Sequence, residues 1–349
     1  MLGQKLMIKM WRSCVDNGIG GWLEPRQIRR VGEAITDVQV ENTLRIAQAE
    51  KIAEDIRQGK AVLENDLSIR LLSDKSKKVL PSDKIPEQIM ERDFLTKAIN
   101  SQNIINEIRK EVNVAKAILV AEAELENDQE EPSEMPINDD WIHRWRDCAS
   151  KVSSEDLQSL WGKVLAGETK VPGSFSLRTL EFLKNASQKD AEDVARLAPF
   201  AVSGIVYRDD KWLASNGIPY SLLLKMQEIG VLVGVESIAL NNEFISLASD
   251  RFLSSLTSKD RVLIIEDDDP SKKLEIQSFN LTGVGKELIN LCKAKSNDNY
   301  LREFGKYILR HGFKVKLASI KKVFDDGRIQ YTNSEELNLP VGEPPEIVI

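Results

Sequence analysis

A stretch rich in acidic and proline residues, from Asn127 to Asp140, is the feature that most restricts how this chain of 349 residues can fold. Its members carry charge or interrupt regular structure: Asp128, Glu130, Glu131, Pro132, Glu134, Pro136, Asp139 and Asp140. Such a composition cannot bury a hydrophobic core, so we expect residues 127–140 to be an exposed linker. We place a domain boundary there, after an N-terminal helical region over residues 1–126.

The N-terminal region shows the apolar spacing of helices. A first helix is predicted from Met1 to Asn17, and a long polar helix from Val31 to Gln58. Residues 60–72 are expected to continue that helix after a kink. A further helix is predicted over residues 86–126, and the two long helices are expected to pack as an antiparallel hairpin.

A compact helical module is predicted over residues 141–205. Ser154 and Ser187 are each followed by residues typical of a helix start, so both are expected to be N-caps. Gly167 is expected to end the helix that Ser154 begins. The following helix should bury three leucines: Leu177, Leu180 and Leu183.

From residue 206 to residue 349 the pattern indicates an α+β region. A helix over Tyr220–Glu228 precedes a short β-branched segment, and two strands are predicted at Val262–Ile265 and Leu274–Phe279 as a hairpin. The order of helix, short strand, hairpin and helix is winged-helix-like. The fold class is therefore mainly α, with an N-terminal helical region, a central helical module and a C-terminal α+β region.

The composition argues against several classes of site. Three cysteines and two histidines lie far apart, which disfavours a disulfide framework and a zinc site. No apolar run reaches the roughly 18 residues of a membrane span. We find no motif for catalysis, a cofactor or a metal, and expect a cytoplasmic, non-enzymatic protein, with contact at the inner membrane surface as an open alternative.

The first 30 residues are basic, although the whole chain has a net charge of −7. They contain six Lys or Arg and two Asp or Glu, a difference of +4. The candidate interaction residues here are Lys5, Lys9, Trp11, Arg12, Trp22, Arg26, Arg29 and Arg30. An apolar stripe beside these charges suits an anionic membrane surface. It equally suits packing on the protein's own core or on a second subunit.

Two further helices offer candidate contact residues. A hydrolytic site can be drawn from Asp140 and His143. However, Asp140 and Arg144 lie one helical turn apart, which favours an ion-paired surface with the neighbouring tryptophans packed inward. Arg178 and Glu181 should lie on the side of their helix opposite the leucines, where they can form a contact surface.

Three other motifs have a simpler structural interpretation. The acidic run Glu266–Asp269 lacks the alternation of a calcium loop, and Gly283-Val284-Gly285 lacks the third glycine of a dinucleotide fingerprint. Both are expected to be turns, the second capped by Thr282. The helix Tyr220–Glu228 offers Lys225 as its one positive charge, so nucleic acid is a less favoured partner than a protein or a second copy of the chain.

The central residues resemble a known family. The motifs that carry the resemblance are Asp140-Trp141 with Arg144-Trp145, the run from Asp156 to Glu168, and the run from Pro172 to Leu183. They are similar to the bacterial family catalogued as domain of unknown function 2806, as are the Gly18–Pro25 segment and the Leu281-Thr282 turn. This resemblance implies no activity.

A fainter similarity runs to abortive-infection alpha-type proteins. They share a helix ending in a Leu-Trp…Leu-Leu-Ala pattern, followed by a helix capped like Ser187 to Asp190. This similarity implies a role in defence against phage. The sequence therefore favours an interaction protein, a defence factor that contacts a membrane surface or a partner through its N-terminus. A nucleic-acid-binding regulator that uses the winged-helix-like segment is the alternative.

Overall fold

The computed structural model describes residues 2–19, 47–58, 60–63, 69–71, 87–126, 128, 131–237, 241–324 and 327–339. The chain divides into two compact units, Met1–Leu180 and Glu181–Ile349. The described part of the first unit is helical apart from one small hairpin, and the second unit combines helices with antiparallel sheets. The expectation of a mainly α chain with a C-terminal α+β region is confirmed.

The described residues of the first unit include four helices and one shorter helical stretch. The helices are α1 (Leu2–Asp16), α2 (Glu87–Glu126), α3 (Asp139–Ala149) and α4 (Glu155–Lys170), and residues 47–57 are also helical. Residues 60–63 and 69–71 do not continue a helix, so that expectation is wrong for these residues, and the rest of 60–72 lies outside the described residues. Instead β1 (Ala61–Leu63) pairs antiparallel with β2 (Ile69–Leu71), in line with the preference of their β-branched residues for extended backbone.

The helical stretch 47–57 packs antiparallel to α2. Lys116 Nζ lies 2.6 Å from Glu50 Oε1, and Ile56 shares an apolar cluster with Ile105. Residue numbers therefore increase along one helix where they decrease along the other. The expected hairpin is confirmed for these residues. The earlier part of the predicted helix, residues 31–46, lies outside the described residues.

The core of the first unit forms where α1 and α4 pack on α2. Leu6 and Met10 of α1 are fully buried. Gly162 of α4 lies so close to α2 that a β-carbon there would be 2.6 Å from Val120 Cβ. The helices before and after the acidic segment therefore share one core, and the division falls at residue 180 instead of at 127–140.

The second unit begins within α5 (Leu177–Asn185). Its further helices are α6 (Gln188–Leu197), α7 (Asp210–Ser215), α8 (Tyr220–Glu228), α9 (Gly283–Leu291) and α10 (Asp298–Arg310). Its strands are β3 (Ile205–Tyr207), β4 (Leu232–Val233), β5 (Asn241–Phe244), β6 (Phe252–Ser258), β7 (Arg261–Asp267), β8 (Leu274–Leu281), β9 (Lys314–Val323) and β10 (Ile329–Glu336).

These strands form two antiparallel sheets. One has the order β10-β9-β7-β6, and the other has the order β3-β8-β4 with β5 also beside β8. The predicted strands at 262–265 and 274–279 are present, but the hairpin between them is wrong because β7 and β8 lie in different sheets. All four residues of Val262–Ile265 are buried, as befits a strand with a neighbour on each side.

An aromatic cluster joins β3 to α10. The backbone N–H of Tyr207 donates to the Tyr300 hydroxyl oxygen at 2.6 Å. Burial raises the pKa of Tyr300 well above its usual range. Phe304 stacks on the Tyr207 ring, with centroids 4.7 Å apart. Helix α10 is thus anchored to its sheet by buried contacts.

Candidate functional site

The tryptophans of the central motif are fixed inside the first unit. Trp141 Nε1 donates to the carbonyl oxygen of Phe175 at 2.7 Å, and Trp145 Nε1 donates to that of Trp161 at 2.9 Å. Trp145 is fully buried and Trp141 almost so. These two bonds tie α3 to α4 and to the turn that follows α4. The expectation that the tryptophans pack inward is confirmed.

The motif carboxylate Glu168 organises that turn. Its side chain is 2 % exposed and accepts hydrogen bonds from the backbone N–H groups of Gly173, at 2.6 Å, and Phe175, at 3.0 Å. The Ser174 hydroxyl lies 3.4 Å from the same carboxylate. A buried carboxylate surrounded by such donors is held by charge-assisted hydrogen bonds. Glu168 therefore closes the turn between α4 and α5.

Gly167 does not end α4, which continues to Lys170, so the predicted helix end is wrong. A β-carbon at Gly167 would lie 2.6 Å from Phe175 Cε2. Glycine is required there because the Phe175 ring rests on the helix backbone. The central motif is thus a packing motif, in which small residues, indoles and one carboxylate join three elements.

The candidate residues of α3 lie on its outer surface. Asp140, His143 and Arg144 are all exposed. Among the residues that the structure describes, no ion pair joins Asp140 to Arg144, and the ion pair of this helix is instead Arg146 with Glu111. The exposed face is therefore available for contacts, without the ion pairing that the spacing suggested.

The candidate residues of α5, Arg178 and Glu181, are both exposed, as expected. Leu180 and Leu183 are buried, which confirms two of the three predicted core leucines. Leu177 is 39 % exposed, so its predicted burial is wrong. Thr179, which is fully buried, and Leu180 occupy the core-facing side of that first turn instead.

On α1 the structure separates the candidate residues into two groups. Trp11 does not lie on the surface: it is 2 % exposed because the apolar stripe of α1 packs on the unit's own core. Lys5 and Arg12 are exposed, and Lys9 is half-buried. The remaining N-terminal candidates lie outside the described residues: Trp22, Arg26, Arg29 and Arg30.

The polar side of α1 forms one wall of a groove of about 570 Å³, whose other wall is the segment 132–139. Two hydrogen bonds join the walls. Lys9 Nζ donates to the carbonyl oxygen of Ser133 at 2.9 Å, and Asn17 Nδ2 donates to Asp139 Oδ1 at 3.2 Å. We call this feature the α1 groove. The acidic segment, expected to be a linker, is therefore a structural wall, although most of residues 131–136 are exposed as predicted.

The charges of the α1 groove are arranged by position along the helix. Lys5, Lys9 and Arg12 line its start, whereas Asp16 and Asp139 line its end. Burial lowers the pKa of Lys9, and the nearby Glu168 carboxylate partly opposes that shift. Along α1 the groove thus has a basic end and an acidic end, and Glu134 on the opposite wall adds a third carboxylate.

Apolar groups lie along the α1 groove between these charges. Met135 on the opposite wall is 64 % exposed, and Ile8 and Pro132 also line the groove. A flexible, exposed thioether suits contact with side chains of varied shape. The basic residues were visible in the sequence; the opposite wall was not, since it depends on which distant segment packs against α1.

In the second unit, the charged residues singled out from the sequence are engaged in local pairs. Lys225 Nζ lies 2.8 Å from Asp190 Oδ1 and 2.7 Å from Asp193 Oδ2. Hydrogen bonds from Lys225 and then Ser187 lower the pKa of Asp190 to about 2. Ser187 caps α6 as predicted, and it forms a capping box with Asp190. The one basic side chain of α8 is therefore occupied by carboxylates of α6.

The acidic run at the end of β7 is likewise paired with lysines. Glu266 lies 2.7 Å from Lys316, and Asp267 lies 2.8 Å from Lys272. The residues described by the structure contain no group of three or more His, Cys, Asp or Glu side chains placed to hold a metal ion. Thr282 caps α9 as predicted, since its hydroxyl accepts the N–H of Gly285 at 2.9 Å.

No helix within the described ranges is both long and apolar enough to cross a membrane. A family model described as "Protein of unknown function (DUF2806)" matches residues 99–215 and 208–304. No curated protein matches the chain, and no solved structure does either.

Proposed function

The chain belongs to the DUF2806 family, and we propose that it is a non-enzymatic interaction protein whose α1 groove binds a partner protein. The α1 groove is the observation that carries this proposal. It combines a volume of about 570 Å³, exposed apolar surface at Met135 and charges of both signs. Protein interfaces are typically built in this way, from an apolar centre with a polar rim.

A protein suits this groove better than a membrane surface does. An interfacial helix binds lipid by burying its apolar face among the acyl chains. The apolar face of α1 is already buried in its own unit, with Leu6, Met10 and Trp11 almost fully covered. Among the described residues of α1, contact with anionic lipid would therefore rest on the exposed Lys5 and Arg12 and the half-buried Lys9, beside the acidic Asp16.

The groove also indicates what the partner segment should look like. An acidic side chain of the partner would lie against Lys5 and Arg12, and a basic one against Asp16 and Asp139. Between them an apolar side chain would contact Met135. Such complementarity fixes the direction in which a segment binds and favours its encounter. We therefore propose an extended segment with a carboxylate, an apolar residue and a cation in that order.

Site-specific photocrosslinking tests this proposal. A photoreactive residue replaces Met135 in the full chain within a bacterial host, and a control chain carries it at Val171, which is 57 % exposed in the same unit. We expect one partner to be captured repeatedly from position 135 and not from 171, and the purified partner to bind the purified chain. Capture of the same proteins from both positions, or no binding after purification, would contradict the proposal.

Defence against phage is the biological setting that we propose for this interaction. Its support is the faint resemblance, drawn from the sequence alone, of the Leu-Trp…Leu-Leu-Ala pattern that ends α4 and of the helix capped by Ser187 to Asp190 to those of abortive-infection alpha-type proteins. A phage challenge would compare hosts that carry the wild-type chain and an Arg12→Glu variant. Fewer plaques with the wild type, lost in the variant, would support this setting. Equal plaque numbers with and without the wild-type chain over a broad phage panel would remove it.

A nucleic-acid-binding regulator is the second candidate, favoured by the order of elements in the second unit. Helix α6, strand β3, helices α7 and α8, and strand β4 follow one another, and β8 comes after the inserted strands β5, β6 and β7 and is central in the sheet β3-β8-β4. This order supports a winged-helix-like interpretation, in which α8 would read DNA. Against it, Lys225 is paired with Asp190 and Asp193. Binding to duplex DNA that weakens as salt rises would support this candidate, and no binding at low salt would reject it.

A further inference from the structure

A second, polar cleft of about 270 Å³ lies in the second unit, between the turn before β3, the end of β6 and helix α9. Its polar or glycine lining residues are Ser203, Gly204, Thr257, Lys259, Lys286 and Asn290. None of the nine described residues that line it carries a carboxylate, although the chain has a net charge of −7. The cleft is therefore a local site of positive charge on an acidic protein.

One wall of the cleft is a tight turn held by backbone bonds. The N–H of Ser203 donates to the carbonyl oxygen of Thr257 at 2.7 Å, and the N–H of Thr257 donates to Ser203 Oγ at 2.8 Å. The two hydroxyl oxygens lie 3.4 Å apart. Either hydroxyl can donate to the other, so one of their two protons is shared between them and the other remains to be donated. This wall thus presents two neighbouring hydroxyl groups at fixed positions.

Two lysines supply the charge from different elements. Lys259 Nζ donates to the carbonyl oxygens of Ile289, at 2.5 Å, and Cys292, at 3.0 Å, and so is held at the end of α9 with one N–H left over. Lys286 lies across the turn, where a β-carbon at Gly204 would be 2.7 Å from its Cε. Both ammonium groups therefore border the same cleft, and neither lysine side chain has to move far to reach it.

The backbone around the cleft is strained. Among the described residues, three non-glycine residues have a positive φ, and two of them line this cleft: Ser203 at 46° and Lys259 at 48°. Such conformations cost free energy and persist where the surroundings impose them, often at ligand sites. The strain places the two hydroxyls and the Lys259 ammonium group around one space.

From this arrangement we propose that the cleft binds a small phosphate-bearing anion, held by the ammonium groups of Lys259 and Lys286 and the hydroxyls of Ser203 and Thr257. Two cations and a neighbouring pair of hydroxyl groups match a group with several acceptor oxygens and up to two negative charges better than they match a single carboxylate. The volume lies near the lower end of the range of small-molecule pockets, which is about 300–1,000 Å³. The inference is independent of the α1 groove, which lies in the other unit.

Calorimetric titration of the full chain with inorganic pyrophosphate tests this inference, with acetate as the carboxylate probe. Lys286→Gln removes an exposed charge of the cleft, and Lys189→Gln removes an exposed charge on α6 as the matched control. We expect Lys286→Gln to weaken pyrophosphate binding about tenfold, the loss of one charge-assisted contact, and Lys189→Gln to leave it unchanged. Thr257→Val should weaken binding as well, since it removes one hydroxyl.

Three results would overturn the inference. If millimolar pyrophosphate gives no heat of binding and does not raise the melting temperature, the cleft binds no phosphate. Equal weakening by Lys286→Gln and Lys189→Gln would mean that the anion responds only to net charge. Acetate binding as tight as pyrophosphate binding would contradict the phosphate class. A final titration with a nucleoside diphosphate distinguishes the source of the group, because tighter binding than pyrophosphate indicates a nucleotide and weaker binding a free phosphate.

Discussion

Replacing Glu168 by glutamine tests whether the central family motif is a packing motif. Each carboxylate oxygen of Glu168 accepts one backbone N–H, from Gly173 or from Phe175. Glutamine keeps one acceptor oxygen and presents an NH₂ group in place of the other, so one N–H donor faces another donor. If Glu168 had a chemical role and no structural one, the substitution would not lower the free energy of unfolding.

The expected cost of Glu168→Gln follows from these bonds. A buried N–H without an acceptor costs about 1–3 kcal/mol, and the surviving bond loses about 1 kcal/mol when its acceptor is no longer charged. Glutamine is neutral and so avoids the free-energy cost of burying a charge, which offsets part of this loss. The net destabilisation should be about 2 kcal/mol. For a unit of this size, that lowers the melting temperature by about 4–8 °C.

Urea unfolding monitored by tryptophan fluorescence measures this cost. Five of the six tryptophans precede residue 181, so the signal reports mainly on the first unit, and Trp212 is the one in the second. The control Glu126→Gln changes an exposed carboxylate at the end of α2 and should shift stability by less than about 0.5 kcal/mol. If Glu168→Gln were as stable as the wild type, the assignment of the motif to packing would be refuted.

Three other predictions concern packing, pH and thiol access. Gly162→Ala should destabilise the first unit by about 1 kcal/mol, because the cost of overpacking exceeds the gain in helix propensity. Gly283→Ala should be neutral or stabilising, because a β-carbon there would have no atom within 4 Å. The urea midpoints of the two variants test this difference. The pKa of Asp190 in the folded chain, about 2, lies below the 3.8 of an unperturbed aspartate, so its contribution to stability is present above pH 4 and lost as the pH falls toward 2. In Asp190→Asn the urea midpoint should therefore depend less on pH over that window, and an unchanged dependence would contradict the Asp190 assignment. Burial raises the pKa of Cys14 to about 12. A thiol reagent should therefore label the half-buried Cys292 of the native chain before Cys14. Equal labelling rates of the two cysteines, measured by mass spectrometry, would contradict the buried position of Cys14.

Local signals in the sequence predicted the elements well where neighbouring residues determine them. The capping box at Ser187 and Asp190 and the cap at Thr282 involve residues three apart, and the structure has both. The helix over Tyr220–Glu228 has the predicted bounds. In each case the residues that form the element also carry its signal.

The errors arose where a distant segment decides the outcome. Gly167 has the local character of a helix end, yet contact with the Phe175 ring explains it. The strand at Val262–Ile265 was predicted, but its partners β6 and β9 could not be, since pairing depends on the whole sheet. The α1 groove is the extreme case, because Lys9 and Ser133 lie 124 residues apart. The basic wall was therefore foreseeable, and the groove was not.

The most direct test of the proposed function is the affinity of the purified chain for the partner captured at Met135. Calorimetry would compare the wild type with a Lys5→Glu/Arg12→Glu variant, which reverses the basic end of the α1 groove. The control Arg144→Glu/Arg178→Glu reverses two exposed charges elsewhere in the same unit. We predict that the groove variant binds at least about tenfold more weakly, a loss of about 1.4 kcal/mol, and that the control binds like the wild type. Equal affinity of the groove variant and the wild type, or a loss confined to the control, would contradict a partner site in the α1 groove.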